Sequence, residues 1–219
     1  MAPVTEIVLH TLKPGTDVPT FLAAFSIIKQ HSSAGAIRAS PVHERPEQVG
    51  IFMDWASVDA HEAFRAAASY HAFIDAARPH LAKFPLLLHA ELAPYPPAVL
   101  DNAAGKGKTP AAHVLLMYFA PDADAAQTLA RAQGFVAKVA GGGFAGLTGE
   151  SALGWSVEKD VEYKGEKSRV LVIITGWESV QAHAEARETD AWKSTVGEFR
   201  DGAEGFKGYE AFHVTTQQL

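Results

Sequence analysis

Trp55-Ala56-Ser57-Val58-Asp59-Ala60-His61 recurs as Trp177-Glu178-Ser179-Val180-Gln181-Ala182-His183, with five identities in seven positions at a constant offset of 122. Each copy follows an apolar run, Val49 to Met53 and Val170 to Ile174. Upstream, Glu6-Ile7-Val8-Leu9-His10 parallels His113-Val114-Leu115-Leu116-Met117, and each leads to a Pro (Pro14, Pro121) and an Asp (Asp17, Asp122). Downstream, Leu86 to Leu92 and Tyr209 to Val214 are apolar segments at the corresponding place. Agreement this dense marks an internal repeat of about a hundred residues. The chain reads as two copies of one unit, residues 1–94 and 111–219, joined by a linker over 95–110 that the Pro94-Tyr95-Pro96-Pro97 cluster opens and a Gly/Lys stretch continues.

The order of elements is the same in both copies. In the first, β-rich residues 4–13 predict a strand and Asp17 or Thr16 caps a helix to about Ser32. Strands follow at about 35–44 and 48–56, Ser57 caps a second helix to about Ser69, and a short helix at 71–82 precedes a strand at 84–93. The second copy predicts strand 112–120, helix 122–139, a hairpin over 144–177 with a charged turn at Asp160 to Lys167, helices 179–188 and 190–200, and strand 207–216. Gly141-Gly142-Gly143 follows a helix and precedes a strand, so it reads as a helix stop rather than a phosphate loop. The pattern is β-α-β-β-α-β, the ferredoxin-like arrangement. The expected fold is therefore α+β, two tandem ferredoxin-like units packing sheet to sheet as an intramolecular α+β barrel, because each bare apolar sheet face needs a cover.

Composition narrows the chemistry. With no Cys among 219 residues, thiolate nucleophiles, Cys-ligated zinc and iron–sulfur clusters are excluded. The net charge of −6 leaves no basic surplus for phosphates, so no nucleic-acid partner is expected. No apolar run approaches the roughly 18 residues of a membrane span, and the start lacks a charged n-region. A cytoplasmic location without membrane contact is the expectation. No His-x-His or HExxH spacing occurs, so no metal is expected.

The strand, the Trp-x-Ser-Val-x-Ala-His segment and the helix running to Tyr70-His71-Ala72-Phe73 resemble the dimeric α+β barrel superfamily, of the antibiotic-biosynthesis-monooxygenase and stress-responsive types. The resemblance covers nearly the whole chain twice, which implies a pseudo-dimer within one chain; a homodimer of whole chains stays open. It implies cofactor-free monooxygenases, polyketide cyclases, haem-degrading enzymes or binding modules without chemistry. The plant polyketide cyclases of this superfamily use a first-strand His, which matches His113, and a His after the second helix, which matches His71. The matches fall in different copies, since Glu6 holds the first-strand position in the first copy and Trp192-Lys193 the later one in the second.

Seven of the ten histidines lie in residues 1–110, which points to the first unit as the one with a working pocket. His10 shares a strand face with Glu6, an arrangement suited to a general base, and His71 sits at the expected mouth. The candidate catalytic residues are thus His10, His71, His113 and Glu6. Trp55, Tyr70, Phe73, Tyr118 and Trp177 are candidate walls for an aromatic or otherwise hydrophobic small molecule. Each also has a structural reading, and His61 and His183, at matching helix positions, are read as structural. The expected function is a cofactor-independent enzyme acting on an aromatic or polyketide-like molecule, by His-assisted proton transfer (cyclisation, dehydration or decarboxylation) or by direct oxygenation. The alternatives are a haem-binding or haem-degrading protein and a non-catalytic ligand-binding or stress-response module.

Overall fold

The computed structural model describes residues 2–102, 109–200 and 203–219; part of the expected linker, 103–108, lies outside the described residues. The first unit runs β1 (Val4–Thr11), α1 (Val18–Ala23), α2 (Phe25–His31), β2 (Ile37–Val42), β3 (Arg45–Trp55), α3 (Val58–Arg65), α4 (Ala68–Ala77) and β4 (Leu86–Ala90). The second runs β5 (Ala111–Phe119), α5 (Ala125–Gly141), β6 (Leu147–Trp155), β7 (Val161–Tyr163), β8 (Glu166–Trp177), α6 (Val180–Glu188), α7 (Asp190–Arg200), β9 (Phe206–Val214) and the two-residue β10 (Gln217–Gln218). The one helix expected over 17–32 is two short helices that meet at Ala24.

The sheet order is β4-β1-β3-β2-β9-β5-β8-β6. The two four-stranded sheets meet at β2 and β9 through Val42 and Val214, and the outer strands β4 and β6 meet through Ala90–Ser156 and Ala93–Leu153 bridges. The result is a closed barrel joined edge to edge, in which no sheet keeps a bare face. Alternation along each strand divides the apolar side chains into three cores. Ile7, Leu9, Phe52 and Leu88 meet Val114, Leu116, Val172 and Ile174 inside the barrel. Val8, Ile51 and Met53 face Phe21, Phe25 and Phe73 on the helices of the first unit. Leu171 and Ile173 face Phe135, Val139 and Trp192 in the second.

The repeated heptad explains itself in this frame. Trp55 and Trp177 end matching strands, and Ser57 and Ser179 cap the next helix by accepting from the Ala60 and Ala182 amides. That cap sets the helix start so that His61 and His183 lie buried one turn in, each ring stacked on its own Trp at 4.9 and 4.4 Å.

Linker residues Val99 and Leu100 insert into the barrel core at one end, beside the buried Arg38, which binds Asp54 at 2.7 Å and also pairs with Asp101. The opposite mouth holds a cavity of about 780 Å³ lined by Leu9, Arg45, Tyr118, Glu158 and Glu210. Among the described residues, no helix is long and apolar enough to cross a membrane.

Closure of the β4–β6 seam needs a glycine. A Cβ on Gly154 would stand 1.9 Å from the Glu91 carbonyl oxygen across the seam. Gly154→Ala is expected to cost about 1–3 kcal/mol by overpacking. Gly134→Ala, on α5 with open space around it, is expected to add about 0.5–1 kcal/mol. Urea unfolding of the two variants checks both signs.

Candidate functional site

The two units build the same constellation and fill it differently. On β1, Glu6 stands directly across from His89 of β4 and from Met53 of β3. On β5, His113 takes the Glu6 place, across from His213 of β9 and Thr175 of β8.

In the first unit His61 Nδ1 is 2.7 Å from His89 Nε2, and His89 Nδ1 is 2.6 Å from Glu158 Oε1. The other oxygen of Glu158 accepts from the His89 backbone amide at 2.9 Å. Burial pushes Glu158 upward, but the side-chain and backbone hydrogen bonds from His89 outweigh it and hold the carboxyl below its ordinary range. An ionised Glu158 fixes the tautomers: His89 carries its proton on Nδ1, so His61 donates from Nδ1 to His89 Nε2. Glu158 belongs to the second unit, in the hairpin between β6 and β7. The second unit mirrors this with His183 Nδ1 2.7 Å from His213 Nε2, and with Glu44, from the β2–β3 turn, bonded to both His213 Nδ1 and the His213 amide. Each unit thus supplies the carboxylate that orients the other's imidazole.

Glu6 is buried, and Trp55 Nε1–H donates to its Oε2 at 2.8 Å. Desolvation pushes its carboxyl up to about 7, against the pull of His89 and the Trp55 bond. In the second unit, where His113 replaces this acceptor, Trp177 Nε1–H donates to Thr175 Oγ1 at 3.1 Å instead. Burial lowers His61 to about 4 and His183 to about 3, and His113 well below its ordinary value. All three are neutral imidazoles at neutral pH.

Beside the first constellation, between sheet and helices, lies a cavity of about 450 Å³ lined mainly by apolar groups. Glu6, His10 and His61 line it together with Trp55, Phe64, Tyr70 and Phe73. Burial drops His10 to about 4, and its ring sits edge-on to Phe21 and Phe25 at 5.1 and 6.0 Å. The other sequence candidates are placed elsewhere. His71 is exposed on α4 and is not part of the lining, although its neighbours Tyr70 and Phe73 are. Tyr118 points into the barrel and stacks on Tyr163 at 4.0 Å. His113 and Trp177 belong to the second constellation. There the matching space is occupied by Trp192, which packs on Trp177 at 5.7 Å, His183 at 5.2 Å and Phe144 at 5.3 Å.

Sequence reasoning missed Glu44, Glu158, His89 and His213 as members of these sites. The repeat carried a signal for them: His89 and His213 sit in matching last strands and Glu44 and Glu158 in matching hairpins. Among the described residues, two groups have the ligand types and spacing of a metal site, Glu6–His61–His89 and His113–His183–His213, each with ligand atoms within 4.8 Å of one another.

The whole chain is similar in structure to an anthrone oxidase-like protein, with a TM-score of 0.68 and 14% identity over 100% of this chain and 94% of that one. It is also similar to a protein of Lactobacillus acidophilus NCFM provisionally named a monooxygenase, with a TM-score of 0.58 and 14% identity over 99% and 94%. A mutant chlorite dismutase from Candidatus Nitrospira defluvii matches with a TM-score of 0.57 and 13% identity over 97% and 91%. At these identities the likeness is one of fold. No family model and no curated relative matches the sequence. The chain has the dimeric α+β barrel fold, built as a tandem pair of ferredoxin-like units.

The burial of Glu6 has a thermodynamic signature. Its folded pKa, about 7, lies above the ordinary carboxyl value of 4.5. The native state therefore holds a proton that the unfolded chain releases, and stability from this group is full below about pH 4.5 and lost as pH rises to about 7. The lowered imidazoles slope the opposite way, so the difference between wild type and Glu6→Gln isolates the carboxyl. Wild type is expected to lose on the order of 3 kcal/mol relative to Glu6→Gln between acid and neutral pH, measured as urea midpoints across that range.

Proposed function

We infer that the protein is a cytoplasmic, cofactor-independent small-molecule enzyme whose first-unit cavity takes an aromatic or polyketide-like substrate. Glu6 removes a proton from an acidic C–H or phenolic O–H of that substrate. The observation that carries this reading is a carboxyl group with a pKa near 7 on the wall of an apolar cavity of about 450 Å³. A base poised near neutrality gains the most from both its ionised fraction and its proton affinity. Aromatic side chains from Trp55, Phe64, Tyr70 and Phe73 supply stacking surface for a flat, delocalised anion.

A proton taken up in an apolar cavity needs a way out. His61 Nδ1 lies 3.7 Å from Glu6 Oε2 and leads through His89 to Glu158, and Glu158 lines the polar cavity at the barrel mouth. In one concerted shift His61 takes a proton up on Nε2, relayed from Glu6 across the cavity that both residues line, as it passes its Nδ1 proton to His89 and His89 passes its own to Glu158, so each ring gains and loses a proton on different nitrogens. Because both low basicity and burial disfavour a charged His61, the line conducts without storing charge on that ring. The substrate anion then cyclises and takes a proton back on the new alkoxide, loses hydroxide that takes the proton back as water, or decarboxylates and takes the proton back on carbon; the oxygenation route starts from the same anion. Proton-transfer chemistry asks less of the protein and is the reading adopted.

Turnover of anthrone-type and linear polyketone probes under air and under nitrogen tests this. Equal rates in both support proton-transfer chemistry, and loss under nitrogen replaces it with oxygenation. Glu6→Gln is expected to lower kcat by about 10²–10⁴-fold and to remove a rise in rate near pH 7. Full activity in this variant would sink the base assignment. Glu158→Gln is expected to slow turnover with probe affinity kept.

One observation favours a second reading, a haem protein. His10 lines the same cavity with its Nδ1 buried and without a hydrogen-bond partner, and Arg65, Arg78 and Lys83 on the lining suit haem carboxylates. His10 would hold the haem iron, and the haem would supply one-electron and oxygen chemistry. A Soret band on haemin titration that is lost in His10→Ala would move the assignment to this reading, and no spectral change ends it.

A further inference from the structure

The His113–His183–His213 group lies outside the cavity and outside the proton line, so the reaction proposed for the first unit leaves it unused. We propose that it is a divalent transition-metal site. His113 of β5, His183 of α6 and His213 of β9 bring three ring nitrogens within 4.8 Å of one another, with ring centroids 4.3 to 5.0 Å apart.

Four features of this group suit an ion. The three rings converge from three different elements, β5, α6 and β9, whose packing fixes their spacing. Three nitrogen donors select borderline ions such as Zn²⁺, Co²⁺, Ni²⁺ or Cu²⁺ over Mg²⁺ or Ca²⁺. Glu44 already binds His213 on the ring nitrogen away from the cluster, the carboxylate–imidazole support that orients a metal ligand and offsets the charge of the ion. Finally, His183 Nε2 is buried and has no hydrogen-bond partner. Without an ion, the His183 proton sits on Nδ1, between the two rings; with one, it moves to Nε2 and frees Nδ1 to ligate. The two nitrogens 2.7 Å apart then separate to roughly 3.3 Å, the spacing of two ligands at tetrahedral zinc. His113 stays partly open to solvent, which gives an ion a way in.

The first unit's matching group is a weaker candidate for a stated reason. Its third member, Glu6, spends the oxygen nearest the histidines on the Trp55 indole, whereas Thr175 relieves the second-unit triad of its Trp. Because Glu44 comes from the first unit and His213 from the second, the ion would lock the β2–β9 seam.

The experiment is Co²⁺ titration of the chelator-stripped full chain, followed by visible absorption and thermal unfolding. One Co²⁺ per chain with d–d bands and a midpoint raised by several degrees is expected, both lost in His113→Gln. Glu44→Gln keeps every ligand and is expected to weaken binding by about 10–100-fold, which separates loss of the site from loss of folding. Zn²⁺ should displace the Co²⁺ spectrum. Absence of a spectrum in wild type, wild-type affinity in both variants, or loss of the ion in Glu6→Gln instead would overturn the assignment.

Discussion

A four-stranded ferredoxin-like sheet has two faces, and its own helices cover one. Everything else in this molecule follows from covering the second. Ile7, Leu9 and Phe52 of one sheet and Val114, Val172 and Ile174 of the other share a single interior, and burial at about 25 cal/mol per Å² makes that shared core the dominant favourable term. To enclose it, the outer strands must meet twice, at β2–β9 and β4–β6. Those two seams bring Glu44 to His213 and Glu158 to His89. The polar sites are therefore by-products of closure, located where one unit's hairpin overlaps the other's last strand.

Covalent linkage frees the halves to differ. A homodimer makes every substitution twice, whereas here β1 holds Glu6 and β5 holds His113, and Met53 in one half stands where Thr175 stands in the other. The changes are coupled: removing the carboxylate would have stranded a buried indole N–H, and the Thr175 hydroxyl accepts it. Trp192, in the second half, stands at the place that Tyr70 holds in the first and packs on Trp177 and His183. The first half keeps an apolar cavity beside its constellation, and the second keeps three clustered imidazoles. The linker adds a further asymmetry, since Val99 and Leu100 stop one barrel end only.

Much of this was legible in the sequence because it is written in local periodicity. Alternation put Glu6, Val8 and His10 on one face, and the Ser caps fixed the starts of α3 and α6 to within a residue, although α3 ends at Arg65 rather than near Ser69. The Trp-x-Ser-Val-x-Ala-His repeat gave the tandem organisation. Residues that meet only across a seam were not legible. Glu158 and His89 are 69 positions apart and in different units, and Glu44 and His213 are 169 apart; no spacing rule connects them. Placing His71 at the mouth misjudged the rotation of α4, which turns Tyr70 and Phe73 inward and His71 out. The neutrality of the histidines was likewise invisible, because their lowered pKa values come from burial, which depends on the packed helices.

The exchange of carboxylates between the halves has a consequence for how the molecule matures. A half folded alone would form its Trp–His stack from local sequence, yet its imidazole pair would lack an anchor and its outer strands would stand unpaired, the condition in which sheets aggregate. The hydrogen-bonded line from His61 to Glu158 comes into being only when the barrel shuts. Completion of the site is thus a readout of completion of the fold: a chain arrested halfway carries neither the tautomers nor the proton route, and so stays silent until its assembly is finished.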